Sequence, residues 1–62
     1  MLSIKGKIEA LYEVITKRDL PEWEHNFISD MYDRLLAKKG DTTNLTERQV
    51  EKIEQLYERR CI

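Results

Sequence analysis

Apolar residues recur at helical spacing in the first third of the chain. Their positions are separated by four, three and four residues, which is the repeat of an amphipathic α-helix. Ser3 precedes them as a candidate N-cap, and Lys17 and Arg18 suit the negative end of a helix dipole. These signals predict a helix over residues 3–18. Its apolar face consists of Ile4, Ile8, Leu11 and Ile15.

A second helix is predicted over residues 21–39. Pro21 suits a first helical turn because its missing N–H needs no partner there, and Asp19 can accept hydrogen bonds from the free amides. Gly40 is placed to supply the left-handed residue that follows many helices. The apolar positions of this helix form two rows: Trp23, Phe27, Met31 and Leu35, and beside them Ile28, Tyr32 and Leu36.

The apolar arc of this second helix is broader than one helical neighbour requires. We therefore expect the helix either to be central or to have a second partner. Tyr32 and Leu36 lie at the edge of the arc, so we predict that they form an exposed patch for a protein partner or a second copy. For the aromatic residues as a group the expected role is to fill the core. They are Tyr12, Trp23, Phe27, Tyr32 and Tyr57.

The start of a third helix is the clearest local signal. Thr46 and Gln49 have the spacing of a capping box, and Leu45 and Val50 are placed for a hydrophobic staple. A helix is predicted over residues 47–60. With short connections and no strand alternation, the chain is predicted to be all-α, a small three-helix bundle that forms a single domain over residues 1–62.

Composition narrows the possible partners. The 62 residues include 11 basic and 12 acidic side chains, so a net charge of −1 gives no general attraction to nucleic acid or membranes. A single cysteine excludes an internal disulfide and favours a reducing compartment. Charged residues interrupt the first segment too early for a signal peptide, and no apolar stretch could span a bilayer. We therefore predict a cytoplasmic protein without a membrane partner.

Residues suited to catalysis or metal binding are few. His25 is the only histidine and is expected to be exposed, whereas a zinc site needs several nitrogen or sulfur ligands. Arg59 and Arg60 could lower the pKa of Cys61, but a nucleophile also needs a positioned base. No phosphate-binding loop or dinucleotide fingerprint is present in the sequence. We predict no catalytic residue, metal, cofactor or small-molecule substrate, and no enzyme activity.

Two charge stripes run along the third helix. One consists of glutamates, and such stripes are typical of a solvated face. The alternative is a docking face in which Arg48, Lys52 and Arg59 contact a partner of complementary charge. The same three residues, with Lys38, Lys39 and Arg60, are the candidates for phosphate contacts to a nucleic acid. The neighbouring glutamates, which oppose phosphate binding, are Glu47, Glu51, Glu54 and Glu58.

Residues 21–58 resemble short helical segments of tailed-phage and prophage proteins. In those segments a Trp-x3-Phe helix leads through a polar loop to a Leu-Ser/Thr-x-x-Gln helix that ends in an aromatic residue. The resemblance implies an accessory part of a replication or recombination protein, or a free-standing small phage protein, and it assigns no residue a function. The matching positions are Trp23, Phe27, Leu45, Thr46, Gln49, Ile53 and Tyr57.

Together these observations predict a small helical protein-interaction module. We expect a phage-encoded accessory or inhibitor protein that docks on a larger host or phage protein in the host cytoplasm, or that associates with itself. The alternative is an accessory nucleic-acid-binding protein in phage replication, recombination or transcription. The predicted partner contacts are Tyr32, Leu36, Arg48, Lys52 and Arg59.

Overall fold

Three α-helices and no strand make up the regular structure of residues 2–61, which are the residues that the computed structural model describes. The helices pack against each other, so the predicted all-α three-helix bundle is confirmed. Their bounds lie within one or two residues of those predicted. They are α1 (Ile4–Lys17), α2 (Glu22–Ala37) and α3 (Glu47–Cys61).

Local side-chain caps begin α1 and α3. The Ser3 hydroxyl accepts a hydrogen bond of 3.2 Å from the Gly6 N–H, as predicted. At the start of α3 the Gln49 N–H donates to Thr46 Oγ1 over 3.1 Å. The Thr46 N–H donates in return to Gln49 Oε1 over 3.0 Å, so the predicted capping box is present.

The start of α2 differs from the prediction. Pro21 occupies the N-cap in an extended conformation, and α2 begins one residue later, at Glu22. No side chain caps this helix, so the capping role expected of Asp19 is wrong. The reason is geometric. An N-cap side chain accepts from the N–H groups two or three residues after it, and Asp19 precedes the N-cap by two residues, too far from the first turn. The Pro21 carbonyl instead accepts from the backbone N–H groups of Glu24 and His25, both at 3.0 Å.

The end of α2 also falls earlier than predicted, at Ala37 rather than Lys39. The Gly40 N–H donates to the Leu35 carbonyl over 2.8 Å and the Lys39 N–H donates to the Leu36 carbonyl over 3.1 Å. This pair of bonds is a Schellman motif, which needs a left-handed residue directly after the C-cap. That position falls on Lys39, whose φ is 55°, and Gly40 follows with a φ of 89°.

The core is aliphatic. Each helix contributes one buried row to it. Four aromatic side chains are partly buried and pack against these rows, whereas Trp23 is 49% exposed, so the expectation that the aromatic residues fill the core is wrong for Trp23. Aliphatic side chains fill the narrow space between the three helices, and the rings of Tyr12, Phe27, Tyr32 and Tyr57 cover the edge of this core. The buried apolar residues are Ile8, Leu11 and Ile15 from α1, Ile28, Met31 and Leu35 from α2, and Ile53 and Leu56 from α3.

The central helix is α1, which packs broadly against both α2 and α3, while α2 and α3 make little contact with each other. The prediction that α2 is central is therefore wrong. Its wide apolar arc extends beyond the core, because Trp23 and Leu36 at opposite ends of α2 are 49% and 60% exposed. The other possibility, a second partner outside this chain, stays a prediction.

A different contact joins each pair of helices at the margin of the core. The rings of Tyr12 and Tyr32 stack between α1 and α2. Between α1 and α3, Lys7 Nζ lies 3.5 Å from Glu54 Oε2 and 5.6 Å from the centre of the Tyr57 ring. The contacts between α2 and α3 are polar and are described with the candidate surfaces below.

Replacing Thr46 by Ala should lower the free energy of unfolding by about 1 kcal/mol, because the Gln49 N–H then loses its acceptor. Urea unfolding followed by circular dichroism measures the change. Thr46→Ser is the matched control, since it keeps the hydroxyl and should retain most of the stability. An unchanged midpoint in Thr46→Ala would contradict the role of the capping box.

Replacing Lys39 by Gly should raise the free energy of unfolding by about 0.5–1 kcal/mol. A side chain in the left-handed region is strained and glycine is not, which outweighs the extra flexibility that glycine gives to the unfolded chain. Thermal unfolding measures the effect. Lys38→Gly removes the same charge at a residue with a φ of −100°, so that control should not gain stability.

Candidate interaction surfaces

The first surface lies on the outer side of α1 and α2. Tyr12 and Tyr32 stack with their ring centroids 3.8 Å apart and an angle of 9° between the ring planes. A shallow groove of about 220 Å³ lies beside the exposed Leu36, one helical turn before Tyr12 in α1 and one turn after Tyr32 in α2. We call this surface the leucine face. Its residues are Tyr12 and Tyr32 together with the groove-lining Lys5, Glu9, Leu36, Lys39 and Gly40.

The residues of the leucine face lie on one side of each helix because of their spacing in the sequence. Lys5, Glu9 and Tyr12 are four and three residues apart on α1, so their side chains lie on one side of that helix. Tyr32, Leu36 and Lys39 repeat the same spacing along α2 and the turn that ends it. The two helices run in opposite directions, so the tyrosines meet at one level and the lysines flank Leu36 at another.

The second surface, the tryptophan face, lies where the start of α2 approaches α3. Lys52 Nζ is 5.0 Å from the centre of the Trp23 ring, a distance at which a cation and an aromatic ring attract each other. Lys52 also lines a groove of about 230 Å³ on α3. The other residues of that groove are Arg48, Glu51 and Gln55.

A buried ion pair, the Glu24–Arg60 clamp, closes the bundle at the same end. The Glu24 carboxylate is 1% exposed and accepts two hydrogen bonds from Arg60, from Nε to Oε1 at 3.0 Å and from the terminal nitrogen to Oε2 at 2.8 Å. Arg59 adds a third cationic contact at 3.8 Å. The bidentate geometry is the strong form of an arginine–carboxylate pair. The clamp therefore ties two helices that otherwise share little contact.

The protonation state of Glu24 follows from these contacts. The hydrogen bonds from Arg60 lower the pKa of the Glu24 carboxyl; burial opposes this effect, and the charges of Arg60 and Arg59 support it. The same bonds raise the pKa of the Arg60 guanidinium. Glu24 is thus held as a carboxylate, the form that accepts both hydrogen bonds from Arg60.

Sequence reasoning missed the clamp, although a signal for it exists. Glu24 stands four residues before Ile28 and seven before Met31, so it continues the buried row of α2. Arg60 likewise continues the row of Ile53 and Leu56 on α3. A charged residue in such a row predicts a buried partner of opposite charge. In the sequence analysis Glu24 had no role in the core, and Arg60 was considered only for phosphate contacts and for an effect on the pKa of Cys61.

The five predicted partner contacts fall in three places. Tyr32 and Leu36 lie on the leucine face, Arg48 and Lys52 lie on the tryptophan face, and Arg59 is drawn toward Glu24 in the clamp. The structure therefore does not gather them into one site. Trp23 is the exposed aromatic residue that had been placed in the core. Of its predicted row only Met31 and Leu35 are buried, and in the first turn of α2 the buried position is taken by Glu24 instead.

The residues considered for catalysis are dispersed. His25 is exposed on α2, as expected. Cys61 is half-buried at the end of α3, and its thiol pKa is raised by burial and, to a smaller extent, by the Glu13 carboxylate. The expected lowering by Arg59 and Arg60 is wrong, because Arg60 is engaged by Glu24. Among residues 2–61 no three His, Cys, Asp or Glu side chains gather into a group that could hold a metal.

Comparison with protein-family models, curated proteins and solved structures found no match to this chain. The resemblance to phage accessory segments therefore stays a prediction. Within the described part of the chain, none of the helices combines the length and the apolar character needed to cross a bilayer.

Replacing Glu24 by Gln should lower the free energy of unfolding by about 1–3 kcal/mol, because an amide N–H2 then faces the Arg60 guanidinium and one charged hydrogen bond is lost. Urea unfolding at neutral pH measures the loss. Glu13→Gln is the matched control: it breaks the exposed ion pair with Lys17 at 2.8 Å, and its effect should be much smaller.

The same variant tests a pH dependence. Because the pKa of Glu24 is lower in the folded protein, its stabilising effect is complete above the ordinary glutamate pKa and is lost as the pH falls through the lowered value. The wild-type protein should therefore lose more stability than Glu24→Gln when the pH is lowered from neutral into the acid range. Parallel pH dependence of the two proteins would contradict this assignment.

Proposed function

We propose that the protein is a small helical interaction module that docks on a larger protein through the leucine face. The observation that carries the proposal is Leu36, which is 60% exposed and is the most exposed large apolar side chain in residues 2–61. A single exposed leucine is common on protein surfaces. Leu36, however, borders a groove and lies one turn from the partly buried tyrosine pair, so it belongs to a patch.

The composition of the leucine face suits a protein partner. Tyrosine is enriched in protein interfaces, and anchors that fill pockets contribute most of the binding energy. The groove, at about 220 Å³, accommodates an anchoring side chain rather than a whole small molecule. The face is built on two helices whose tyrosines pack on each other, so it is already ordered before binding, which reduces the entropic cost of association.

The resemblance of residues 21–58 to phage segments gives the proposal its biological setting. On that basis the module is an accessory or inhibitor protein, without enzyme activity, that acts on a host or phage protein in the host cytoplasm.

A second candidate function is nucleic-acid binding through the tryptophan face. An exposed aromatic ring beside cations is the arrangement on which single-stranded nucleic acids stack, and Trp23 lies beside Lys52 in this way. Two observations weigh against it. Glu51 lines the same groove as Arg48, and the clamp engages Arg60 with a carboxylate. A carboxylate in the groove repels phosphate, and Arg60 cannot contact phosphate while it is paired with Glu24.

Replacing Leu36 by Ser should weaken capture of a partner protein by about tenfold or more, because truncating an interface anchor costs at least about 1.4 kcal/mol of binding energy. Immobilised wild-type and variant proteins are exposed to a lysate of the source organism, and the protein retained by the wild type is purified and titrated by calorimetry. Ala37→Ser changes the next exposed residue of the same helix and should bind as the wild type does.

Equal titration curves for Leu36→Ser and wild type would contradict docking through the leucine face. Circular dichroism of both variants establishes that they are folded, as expected for exposed positions. A parallel anisotropy titration with single-stranded oligonucleotides tests the second candidate. Binding that weakens steeply with salt and is lost in Lys52→Gln, but not in Leu36→Ser, would favour nucleic acid instead.

A further inference from the structure

The charge around Leu36 indicates what kind of partner the leucine face accepts. Lys5 and Lys39 line the groove beside Leu36, and Glu9 is the one acidic residue among those that line it. The groove therefore carries a net positive charge although the whole chain has a net charge of −1. The groove of the tryptophan face has the same balance, because Arg48 and Lys52 are accompanied there by Glu51, but none of the residues that line that groove is apolar.

The positions of Lys5 and Lys39 leave their ammonium groups available to a partner. The Lys5 side chain lies along Gly40, since a Cβ built on that glycine would be 3.4 Å from Lys5 Cε and 3.6 Å from Nζ. Within residues 2–61 neither Lys5 nor Lys39 has a carboxylate oxygen within 4.0 Å of its ammonium group. Within the same residues Arg18, Lys38, Arg48 and Lys52 are also without such a partner, but only Lys5 and Lys39 line the groove beside Leu36. The basic side chains that are paired with carboxylates are Lys7, Lys17, Arg34, Arg59 and Arg60.

From this arrangement we infer that the partner presents an acidic amphipathic segment, with one large apolar side chain against Leu36 and carboxylates placed for Lys5 and Lys39. The inference rests on the proposed function and adds the chemistry of the partner. Opposite charges at the rim steer the encounter and set the register, while the apolar anchor supplies the contact area. A basic or neutral segment would cover the two ammonium groups without pairing them, which is unfavourable.

A second copy of the chain suits the face less well. A symmetric dimer brings the same patch of both subunits together. The net positive grooves would then face each other, and like charges across an interface oppose binding. Self-association is therefore an outcome that the experiment must distinguish.

The test uses two synthetic helical peptides and the ¹⁵N-labelled full chain. The acidic peptide carries leucines at helical spacing flanked by glutamates, and the matched peptide has each glutamate replaced by lysine. Amide chemical shifts report where each peptide binds. We expect the acidic peptide to shift the amides of Lys5, Leu36, Lys39 and Gly40, and the basic peptide to leave them unchanged.

Two double variants test whether peptide binding needs the charges of Lys5 and Lys39 or only the net charge of the chain. The double variant Lys5→Gln/Lys39→Gln should bind the acidic peptide about tenfold more weakly, because two charge pairs at the rim are lost. Lys17→Gln/Arg18→Gln removes the same charge from the other end of α1 and should bind as the wild type does. Raising the salt concentration should weaken wild-type binding and narrow the difference between wild type and the first double variant.

Three results would overturn the inference: no shift at these amides with the acidic peptide, equal shifts with both peptides, or equal losses in the two double variants. Sedimentation that detects a dimer lost in Leu36→Ser would assign the face to a second copy instead. The proposed function is judged separately. A natural partner whose capture needs Leu36 but tolerates Lys5→Gln/Lys39→Gln contradicts the acidic segment alone, whereas capture that does not need Leu36 contradicts the docking face itself.

Discussion

The buried row of α1 holds the bundle together. Ile8, Leu11 and Ile15 lie between the rows of α2 and α3, which have little contact with one another, so both outer helices depend on α1 for burial of their apolar residues. A domain of this size buries only about 60% of the surface that its unfolded chain exposes. Loss of volume in this row would therefore affect both helix interfaces at once.

With α2 and α3 packed chiefly on a third helix, their mutual orientation needs another constraint. The Glu24–Arg60 clamp supplies it by joining the first turn of α2 to the last turn of α3 through two hydrogen bonds. A buried ion pair contributes modestly to stability, because desolvation offsets much of the attraction. Its geometry is specific, however, so only one relative placement of the two helix ends satisfies both groups.

This architecture explains where apolar surface remains. The aliphatic rows complete the core, and the broad arc of α2 extends past it at Trp23 and Leu36. Trp23 is partly covered by Lys52 of the same chain, whereas Leu36 borders an open groove with cations on its rim. On the leucine face an exposed apolar side chain, a groove and lysines without a carboxylate partner in residues 2–61 therefore lie together.

Local interactions were readable from the sequence by itself. The helical periods, the Ser3 cap and the Thr46–Gln49 capping box each involve residues a few positions apart, so their geometry follows from the helix alone. The three helices and the all-α class follow from these signals. The positive φ of Gly40 after α2 was predicted from the sequence, whereas the positive φ of Lys39 was not, because α2 ends two residues earlier than its apolar pattern indicated.

The tertiary structure decided which apolar residues are buried and which charges are paired. Glu24 could be recognised as part of a buried row, but its partner stands 36 residues away, and no helical period relates them. The same holds for the Tyr12–Tyr32 stack and for the placement of Lys5 beside Gly40. The apolar pattern of a helix predicts which side is buried. Only the packing of the three helices determines how deeply each residue is buried and which residues it contacts.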